Sequence, residues 1–466
     1  MRRRYTFRIA MNFLISLFIP AFALAPVFSS AEEPRSARYE ELAVELTKGA
    51  DRTEGDIIQK GETLTVGRCI DIALRKNPSR LAAENTVDAS FSRVGQAQAN
   101  YYPQLNWSSS YDRIHPASGR TTSFFGASGR EQAFDEYASS LSLSQLIYDF
   151  GKTSSSVNIQ KYNLASSRSD LDATTDQIIF NVKQAYYGLL RSKRNRDAAE
   201  DIVKQLQLRL DQAKGFYEVG IRAKIDVTRA EADLSTAKLG LIQAENAIKI
   251  AWVTLNNAMG VPDAPLYTIE DNLAFQKFEI TFEDALGRAY EYRPDLKALT
   301  ARREASGEAI RFAKTGYYPA ISGNASYNWA GEELSNIEDG WSAGVTLTFP
   351  LFSGFLTKNQ VAEAKSNFSA LKANEQSLRQ QILLDVQQAY LNLHEAQESI
   401  STAEIGLRSA QENLDLANGR YAAGVGSPIE VSDAFATYAN AQVAYTGALY
   451  NYKIAQATVE KAMGIR

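Results

Sequence analysis

The sequence has 466 residues, 45% of them hydrophobic and 22% charged, which is too apolar a composition for a disordered chain. Residues 1–31 have the layout of a secretory signal peptide, with four arginines, an apolar core and small residues before the expected cut. Pro20 and Pro26 argue against the alternative, a retained membrane anchor. Without this segment, 46 basic residues face 54 acidic ones, and the net charge of −8 argues against a nucleic-acid partner.

Few residues in this sequence could carry enzyme chemistry. Cys69 is the single cysteine, so no intrachain disulfide can form, and a small buried hydrophobe on a helix is expected there. His115 and His394 have no metal-ligand spacing, and we find no phosphate loop or Ser-His-Asp arrangement. The sequence therefore predicts no enzyme, cofactor or metal site. Beyond residue 31 no run of about 18 apolar residues occurs, so no membrane-spanning helix is expected.

After a polar N-terminal segment, 32–62, the chain repeats itself. Tyr101-Tyr102-Pro103 matches Tyr317-Tyr318-Pro319 at an offset of 216, and Met259-Gly260 matches Met463-Gly464 at an offset of 204. Such self-similarity predicts two structural repeats, 63–263 and 279–466. Each repeat should contain two shorter helices, then a strand pair, then a pair of long helices. The strand pairs are predicted at 103–148 and 319–352, and the long helix pairs at 151–259 and 354–463.

The long helices are predicted from proline placement and apolar period. No proline lies between Ala117 and Val261 or between Leu351 and Ser427, and proline breaks helix interiors. Ile178, Val182, Ala185 and Leu189 step by four, three and four residues, a coiled-coil-like spacing that recurs 204 residues later. A helix from Gly151 to Phe216 would be about 100 Å long. A rod of that length suits a duct that crosses the periplasm.

The four predicted strands alternate apolar and polar residues over about ten positions, with aromatic residues near their ends. This pattern is typical of outer-membrane strands, which face lipid on one side and water on the other, although the edge of a soluble β-sandwich also alternates. Four strands are too few to close, since the smallest stable barrels have about eight. Three chains would supply twelve, which predicts a homotrimer with a shared 12-stranded transmembrane β-barrel in outer-membrane lipid.

The order of elements and the two helix turns resemble the TolC-type outer-membrane efflux family, over residues 63–466. The first turn is Tyr217-Glu-Val-Gly-Ile-Arg-Ala-Lys-Ile-Asp-Val227, and the second is Tyr421-Ala-Ala-Gly-Val-Gly-Ser-Pro-Ile-Glu-Val-Ser-Asp433. Both are similar to the family's Val-Gly tip signature, and they lie 204 residues apart. The resemblance implies a mixed, mainly α fold, in which duplicated long-helix hairpins form a periplasmic α-barrel below the strands.

The resemblance also implies a function. The chain would be the passive exit duct of a tripartite efflux or type I secretion system, in the outer membrane and extending into the periplasm. Its partners would be a periplasmic adaptor and an inner-membrane pump, proton-driven or ATP-driven. The alternative is a periplasmic coiled-coil adaptor or structural rod without a pore, which would explain the long helices but leaves the paired strands without a role.

The resemblance places candidate sites at the helix tips. Six residues are expected to dock the adaptor: Val219, Gly220, Ile221, Gly424, Val425 and Gly426. Gly220 and Gly424 are expected in addition to end their helices with positive φ. Glu430 and Asp433 match a family ring of carboxylates at the periplasmic constriction, where they would attract cations.

Two features of the second tip leave the gate prediction open. Ser427-Pro428-Ile429-Glu430 also reads as a capping box, so Glu430 could serve only to cap a helix. Tyr421 and Asp226 match family gate positions that link neighbouring hairpins. The family has an arginine where this chain has Gly426, and Arg222 and Arg420 are the candidates to replace it.

Overall fold

A computed structural model describes residues 58–115 and 133–466. The expected signal peptide, most of the polar segment 32–62 and the loop between the first two long strands lie outside the described residues. The chain divides into two compact units. In the smaller one, which includes 58–62 and 265–268, the Gly61 N–H donates to the Leu266 carbonyl at 2.9 Å. The larger unit comprises 63–264 and 269–466.

The two halves of the chain contain the same elements in the same order. In the first half these are β1 (Thr63–Leu64), α1 (Val66–Lys76), α2 (Pro78–Gln98), β2 (Gln104–Ile114), β3 (Phe134–Tyr148), α3 (Lys152–Glu218) and α4 (Lys224–Met259). In the second they are β4 (Thr268–Ile269), α5 (Phe282–Tyr292), α6 (Pro294–Lys314), β5 (Ala320–Glu333), β6 (Asn336–Thr348), α7 (Leu356–Ala422) and α8 (Pro428–Met463).

The long helices are confirmed. Helices α3 and α7 have 67 residues each, or about 100 Å, and each turns back into a 36-residue helix. The stripe predicted from spacing is the buried face of α3, because Ile178, Val182, Ala185 and Leu189 all lie in the core. The long helices keep apolar residues on other faces as well, such as Leu239 and Ile242 of α4, which are exposed. One chain therefore buries only part of its apolar helix surface.

Polar caps and prolines set the starts of the shorter helices. The Thr65 hydroxyl accepts from the Arg68 N–H at 3.2 Å and starts α1. The Asn77 side chain accepts from the Ser79 N–H at 2.9 Å, and Pro78 occupies the first position of α2. Such caps satisfy amide groups that a helix start leaves unpaired.

Glycine is required where each long hairpin ends against the corner between two shorter helices. Gly260 and Gly464 have φ of 74° and 69°. A Cβ at Gly260 would lie 2.8 Å from backbone atoms of Lys76 and Asn77, and one at Gly464 would lie 2.8 Å from the Arg293 nitrogen. Both the left-handed backbone and the close approach exclude larger residues, which explains why Met-Gly recurs at these two positions.

The four long strands form one antiparallel sheet in the order β2-β3-β5-β6. The register pairs Tyr111 with Tyr137, and it pairs Tyr327 with Trp341. Strand β3 pairs with β5 and so joins the two halves of the chain. The alternation predicted from sequence puts Trp107 and Tyr111 on the same face, and both are exposed.

Two buried tyrosines secure the segments that flank the long hairpins. The Tyr186 hydroxyl lies 2.7 Å from the Glu270 carbonyl and 3.2 Å from the Leu64 carbonyl, and burial raises its pKa, so it remains a donor. The Tyr452 hydroxyl donates to the Gln276 carbonyl at 2.7 Å and accepts from the Phe278 N–H at 2.8 Å. Cys69 is buried nearby in α1, as expected for a small hydrophobe. Within the described part of the chain, no helix has both the length and the apolarity needed to cross a bilayer.

Candidate functional site

The two helix turns have the same backbone geometry. Gly220 and Gly424 have φ of 76° and 77°, the left-handed conformation that ends a helix. The Ile221 N–H donates to the Phe216 carbonyl at 3.0 Å, and the Val425 N–H donates to the Arg420 carbonyl at 3.0 Å. A Cβ at Gly220 or Gly424 would meet nothing within 4 Å. Each turn is thus determined by its own hydrogen bonds and opens to solvent in the single chain.

Five of the six residues predicted to dock an adaptor are exposed. Val219 and Ile221 are each 68% exposed and Val425 is 70% exposed, so the turns present apolar side chains as well as glycine backbone. Ile225, which is not among the predicted docking residues, extends this apolar surface into α4 and is 73% exposed. Clustered exposed apolar residues of this kind mark a surface that another molecule covers.

Gly426 differs from the other five because it is buried. A Cβ there would lie 2.9 Å from the Tyr421 nitrogen and 3.0 Å from the Arg420 carbonyl carbon. Any side chain at this position would force a backbone shift, so the arginine expected from the resemblance does not fit this turn. Gly426 packs inside the tip and offers little surface for docking.

Glu430 and Asp433 lie one turn apart at the start of α8, and both are exposed. The Ser427 hydroxyl accepts from the Glu430 N–H at 3.2 Å, so the amide half of the predicted capping box forms. The Glu430 carboxylate instead lies 3.4 Å from the Arg420 Nε, in an ion pair whose members are both about half exposed. An exposed pair of this kind is worth roughly 0–1 kcal/mol, so the Glu430 side chain is held only weakly.

Tyr421 and Asp226, the predicted gate partners, are not joined within the chain. Tyr421 is buried, with its ring edge-on to Phe216 at 6.3 Å and the Arg222 guanidinium 5.4 Å above it. Asp226 lies in the first turn of α4 and is half-buried. Among the residues that the structure describes, no hydrogen bond connects Tyr421 to Asp226. Arg222 reaches the second hairpin through the Tyr421 ring, and Arg420 contacts Glu430 of its own hairpin. In the described part of the chain, neither makes a hydrogen bond to the opposite hairpin.

A largely buried arginine that the sequence did not predict as a site residue makes hydrogen bonds of that kind. The Arg209 side chain in α3 is 11% exposed. Its Nη1 donates to the Ser432 hydroxyl at 2.9 Å, and its Nη2 donates to the Pro428 carbonyl at 2.5 Å. Ser432 in turn donates to the Asp233 carboxylate at 2.9 Å. The available signal was an arginine beside Leu206 and Leu210 in the apolar stripe of α3, where a charge is buried only if it is paired.

Aromatic side chains join the two hairpins at the same level. Phe435 of α8 packs against the buried cluster of the first hairpin, which includes Leu210 and Leu234. It also packs against the cluster of the second hairpin, to which Phe216 contributes. The tips are therefore held side by side by apolar contacts and by the Arg209 network. In the described residues, no group of three or more His, Cys, Asp or Glu side chains is placed to hold a metal ion.

A family model for the outer membrane efflux protein matches residues 69–261 and 285–465, which is most of the chain and includes both tips. The chain belongs to the outer membrane efflux protein family. This efflux protein is 25% identical to the outer membrane protein TolC of Escherichia coli K12 over 408 residues, 83% of this chain and 80% of TolC. It is 23% identical to the outer membrane protein OprJ of Pseudomonas aeruginosa over 97% of this chain and 94% of OprJ. Its fold is similar to that of the Campylobacter jejuni CmeC outer membrane channel, with a TM-score of 0.73 at 19% identity over 86% of this chain and 85% of CmeC.

These findings confirm the predicted class of function. The efflux protein is a passive channel of the outer membrane that extends into the periplasm, and it is not an enzyme. Channels of the TolC family work in tripartite systems with an adaptor and an inner-membrane pump. Nothing in the comparisons supports the alternative of a periplasmic coiled-coil adaptor without a pore.

Proposed function

We propose that three copies of this chain associate into a homotrimeric export duct, whose helix tips form a carboxylate constriction and dock a periplasmic adaptor. The observation that carries the trimer is the sheet with two open edges. Strand β2 and strand β6 are the outer strands, and within the described residues neither outer edge pairs with another strand. Each edge leaves a row of unpaired N–H and C=O groups, which in lipid must find partners.

The directions of the two edge strands suit pairing between chains. All three pairings in the sheet are antiparallel, so β2 and β6 run in opposite directions. Strand β6 of one chain can therefore extend the antiparallel sheet by pairing with β2 of the next. Three sheets of four strands joined in this way make twelve strands with no remaining edge.

The exposed apolar side chains agree with such an assembly. On the edge strands Trp107, Trp341 and Val345 are all more than 60% exposed in the single chain. On the long helices Val253 of α4 and Leu416 of α7 are each 68% exposed. Lipid would cover the first group and neighbouring chains would cover the second, because exposure of so much apolar surface to water is unfavourable.

The tips supply the proposed constriction and docking surface. In a trimer, three copies of Glu430 and three of Asp433 would surround one axis and favour cations over anions within a distance of about 8 Å. The docking surface would consist of the exposed turn residues Val219, Gly220, Ile221, Gly424 and Val425, while the buried Gly426 shapes the second turn. A periplasmic adaptor with a complementary apolar groove would cover them.

Reconstitution of the purified mature protein into planar bilayers tests the duct. We expect discrete conductance steps, cation preference, and a band of three times the chain mass on gels that shifts to the monomer after boiling. A boiled sample added to the same bilayer is the control and should give no steps. A protein that stays monomeric and soluble without detergent would contradict the proposal.

A further inference from the structure

We propose that Arg209 is a latch that ties the start of α8 to α3 and so positions Glu430 and Asp433 in the closed constriction. The inference rests on the proposed function of these two carboxylates, and it adds a residue that the family resemblance did not supply. The missing arginine at position 426 is replaced from the other hairpin, because a side chain at Gly426 would collide with the backbone of Arg420 and Tyr421.

Both hydrogen bonds of Arg209 go to the start of α8. The Pro428 carbonyl, which accepts Nη2 at 2.5 Å, lies two residues before Glu430. The Ser432 hydroxyl, which accepts Nη1 at 2.9 Å, belongs to the residue next to Asp433. Any movement that separates the start of α8 from α3 must break both bonds. Hydrogen bonds from a charged donor are the stronger class, and here the donor is nearly excluded from water.

Neighbouring acidic groups favour the charged form of Arg209 and hold its side chain in this position. Burial lowers the pKa of its guanidinium, while the nearby acids Asp233 and Asp226 of α4 and the Tyr421 hydroxyl of α7 act in the opposite direction. Arg229 of α4 is the cation that faces it. The Asp233 carboxylate lies 3.7 Å from Nη1 and also accepts from Ser432, so α3, α4 and α8 share one polar network. A buried arginine without these partners would be costly, which favours the latched arrangement.

Among the described residues, this network occurs in only one of its two possible positions in the duplicated chain. The position that corresponds to Arg209 in α7, 204 residues later, is Asn413, and Ser432 corresponds to Thr228. No hydrogen bond between the Asn413 and Thr228 side chains occurs in the part of the chain that the structure describes. The described residues of each chain therefore form one such latch, and the proposed trimer would have three, all at the level of the proposed carboxylate ring.

Three substitutions distinguish loss of the latch hydrogen bonds from loss of a positive charge and from a general loss of stability. Arg209→Met keeps an unbranched side chain of similar length and removes every donor. Ser432→Ala leaves the Arg209 and Asp233 charges in place and removes one bond, so it remains informative should the first variant fold poorly. Arg229→Met is the matched control, because it removes one positive charge from the same region, and Arg229 is exposed and makes no ion pair among the described residues.

Two measurements on the full-length channel test whether Arg209 acts as a latch. In planar bilayers, Arg209→Met should raise the open probability roughly tenfold, the effect of losing a hydrogen bond to a charged group, and Ser432→Ala should raise it less. Arg229→Met should not raise the open probability, because loss of the cation that faces Arg209 can only favour the latch. Amide hydrogen exchange over residues 429–433 should be faster in Arg209→Met and in Ser432→Ala than in the unmodified channel, and unchanged in Arg229→Met.

Unchanged exchange and unchanged open probability in Arg209→Met trimers would overturn the latch while leaving the duct intact. An equal effect of Arg229→Met would overturn it too, since the cause would then be charge alone. Faster exchange in a protein that never conducts would support the latch and reject the duct, so the two failures are distinguishable.

Discussion

At the second tip, Glu430 combines two roles that the sequence presents as alternatives, namely capping of α8 and a charge in the constriction. The Ser427 hydroxyl caps α8 through the Glu430 N–H, and this bond leaves the Glu430 carboxylate free of the cap. The carboxylate meets Arg420 only in an exposed ion pair, which solvent screens. Glu430 can therefore belong to a capped helix start and still contribute its charge to a constriction.

The charge of the proposed constriction can be tested without disturbing the cap. In the double variant Glu430→Gln, Asp433→Asn, the Ser427 bond to the backbone of residue 430 is retained, and only the two charges are lost. We expect the cation-to-anion permeability ratio in planar bilayers to fall toward that of an uncharged pore. Neutralising Glu412, an exposed acid of α7 more than a turn from the tip, is the control. An unchanged ratio in the double variant would leave Glu430 with a capping role alone.

At the scale of elements, the long hairpins end in two different kinds of glycine. Gly260 and Gly464 lie against backbone, where a Cβ has no room, whereas Gly220 and Gly424 face open space. All four have positive φ, so a side chain at any of them costs roughly 1–2 kcal/mol of backbone strain. The base of each hairpin is therefore closed by packing, and its tip remains available to a partner.

This difference predicts that bulk at the second tip affects docking more than folding. Gly424→Trp should still form trimers of nearly normal thermal stability, because its side chain meets open space, and it should abolish export of a dye that the unmodified strain expels. Gly424→Ala is the matched control, since it carries the same backbone strain without the bulk and should retain most export. Normal export by Gly424→Trp would remove the second tip from the docking surface.

At the scale of the whole molecule, one chain leaves two kinds of surface uncovered. Among the described residues its sheet ends in two unpaired edges, and its long helices expose apolar side chains that an isolated helical protein would bury. The proposed trimer would account for both features together, because pairing of the edge strands would bring long helices of neighbouring chains side by side.

Cysteine cross-linking tests the proposed contact between edge strands. In a Cys69→Ala background, Ser108→Cys on β2 is combined in turn with Ser342→Cys, Gly344→Cys and Thr346→Cys on β6, all on the polar face of the sheet. At least one combination should give disulfide-linked dimers and trimers on non-reducing gels. Ser108→Cys with Ser326→Cys on β5 should give none, since those strands lie about 10 Å apart, beyond disulfide reach. Absence of linked species in every β2–β6 combination would contradict the closed assembly.

Much of the fold followed from local patterns in the sequence. Proline-free stretches and the Ile178 to Leu189 stripe predicted helices that the structure confirms, because helix formation and its buried face depend on neighbours three and four residues away. Alternation predicted the four strands for the same reason, with a period of two. The matching Val-Gly turns indicated where the long helices reverse, and the family model agrees with the resemblance drawn from them.

The sequence by itself thus determined the helices, the strands, the turns and the family of this protein. Only the tertiary structure decided how the tips are connected. It showed that Gly426 is enclosed by backbone, that Tyr421 packs on Phe216 without reaching Asp226, and that Arg209 crosses to Pro428 and Ser432. Arg209 and Ser432 are 223 residues apart in sequence. A periodic pattern records which face of an element is buried, but it contains no information on which distant element covers that face, and side-chain partners depend on that packing.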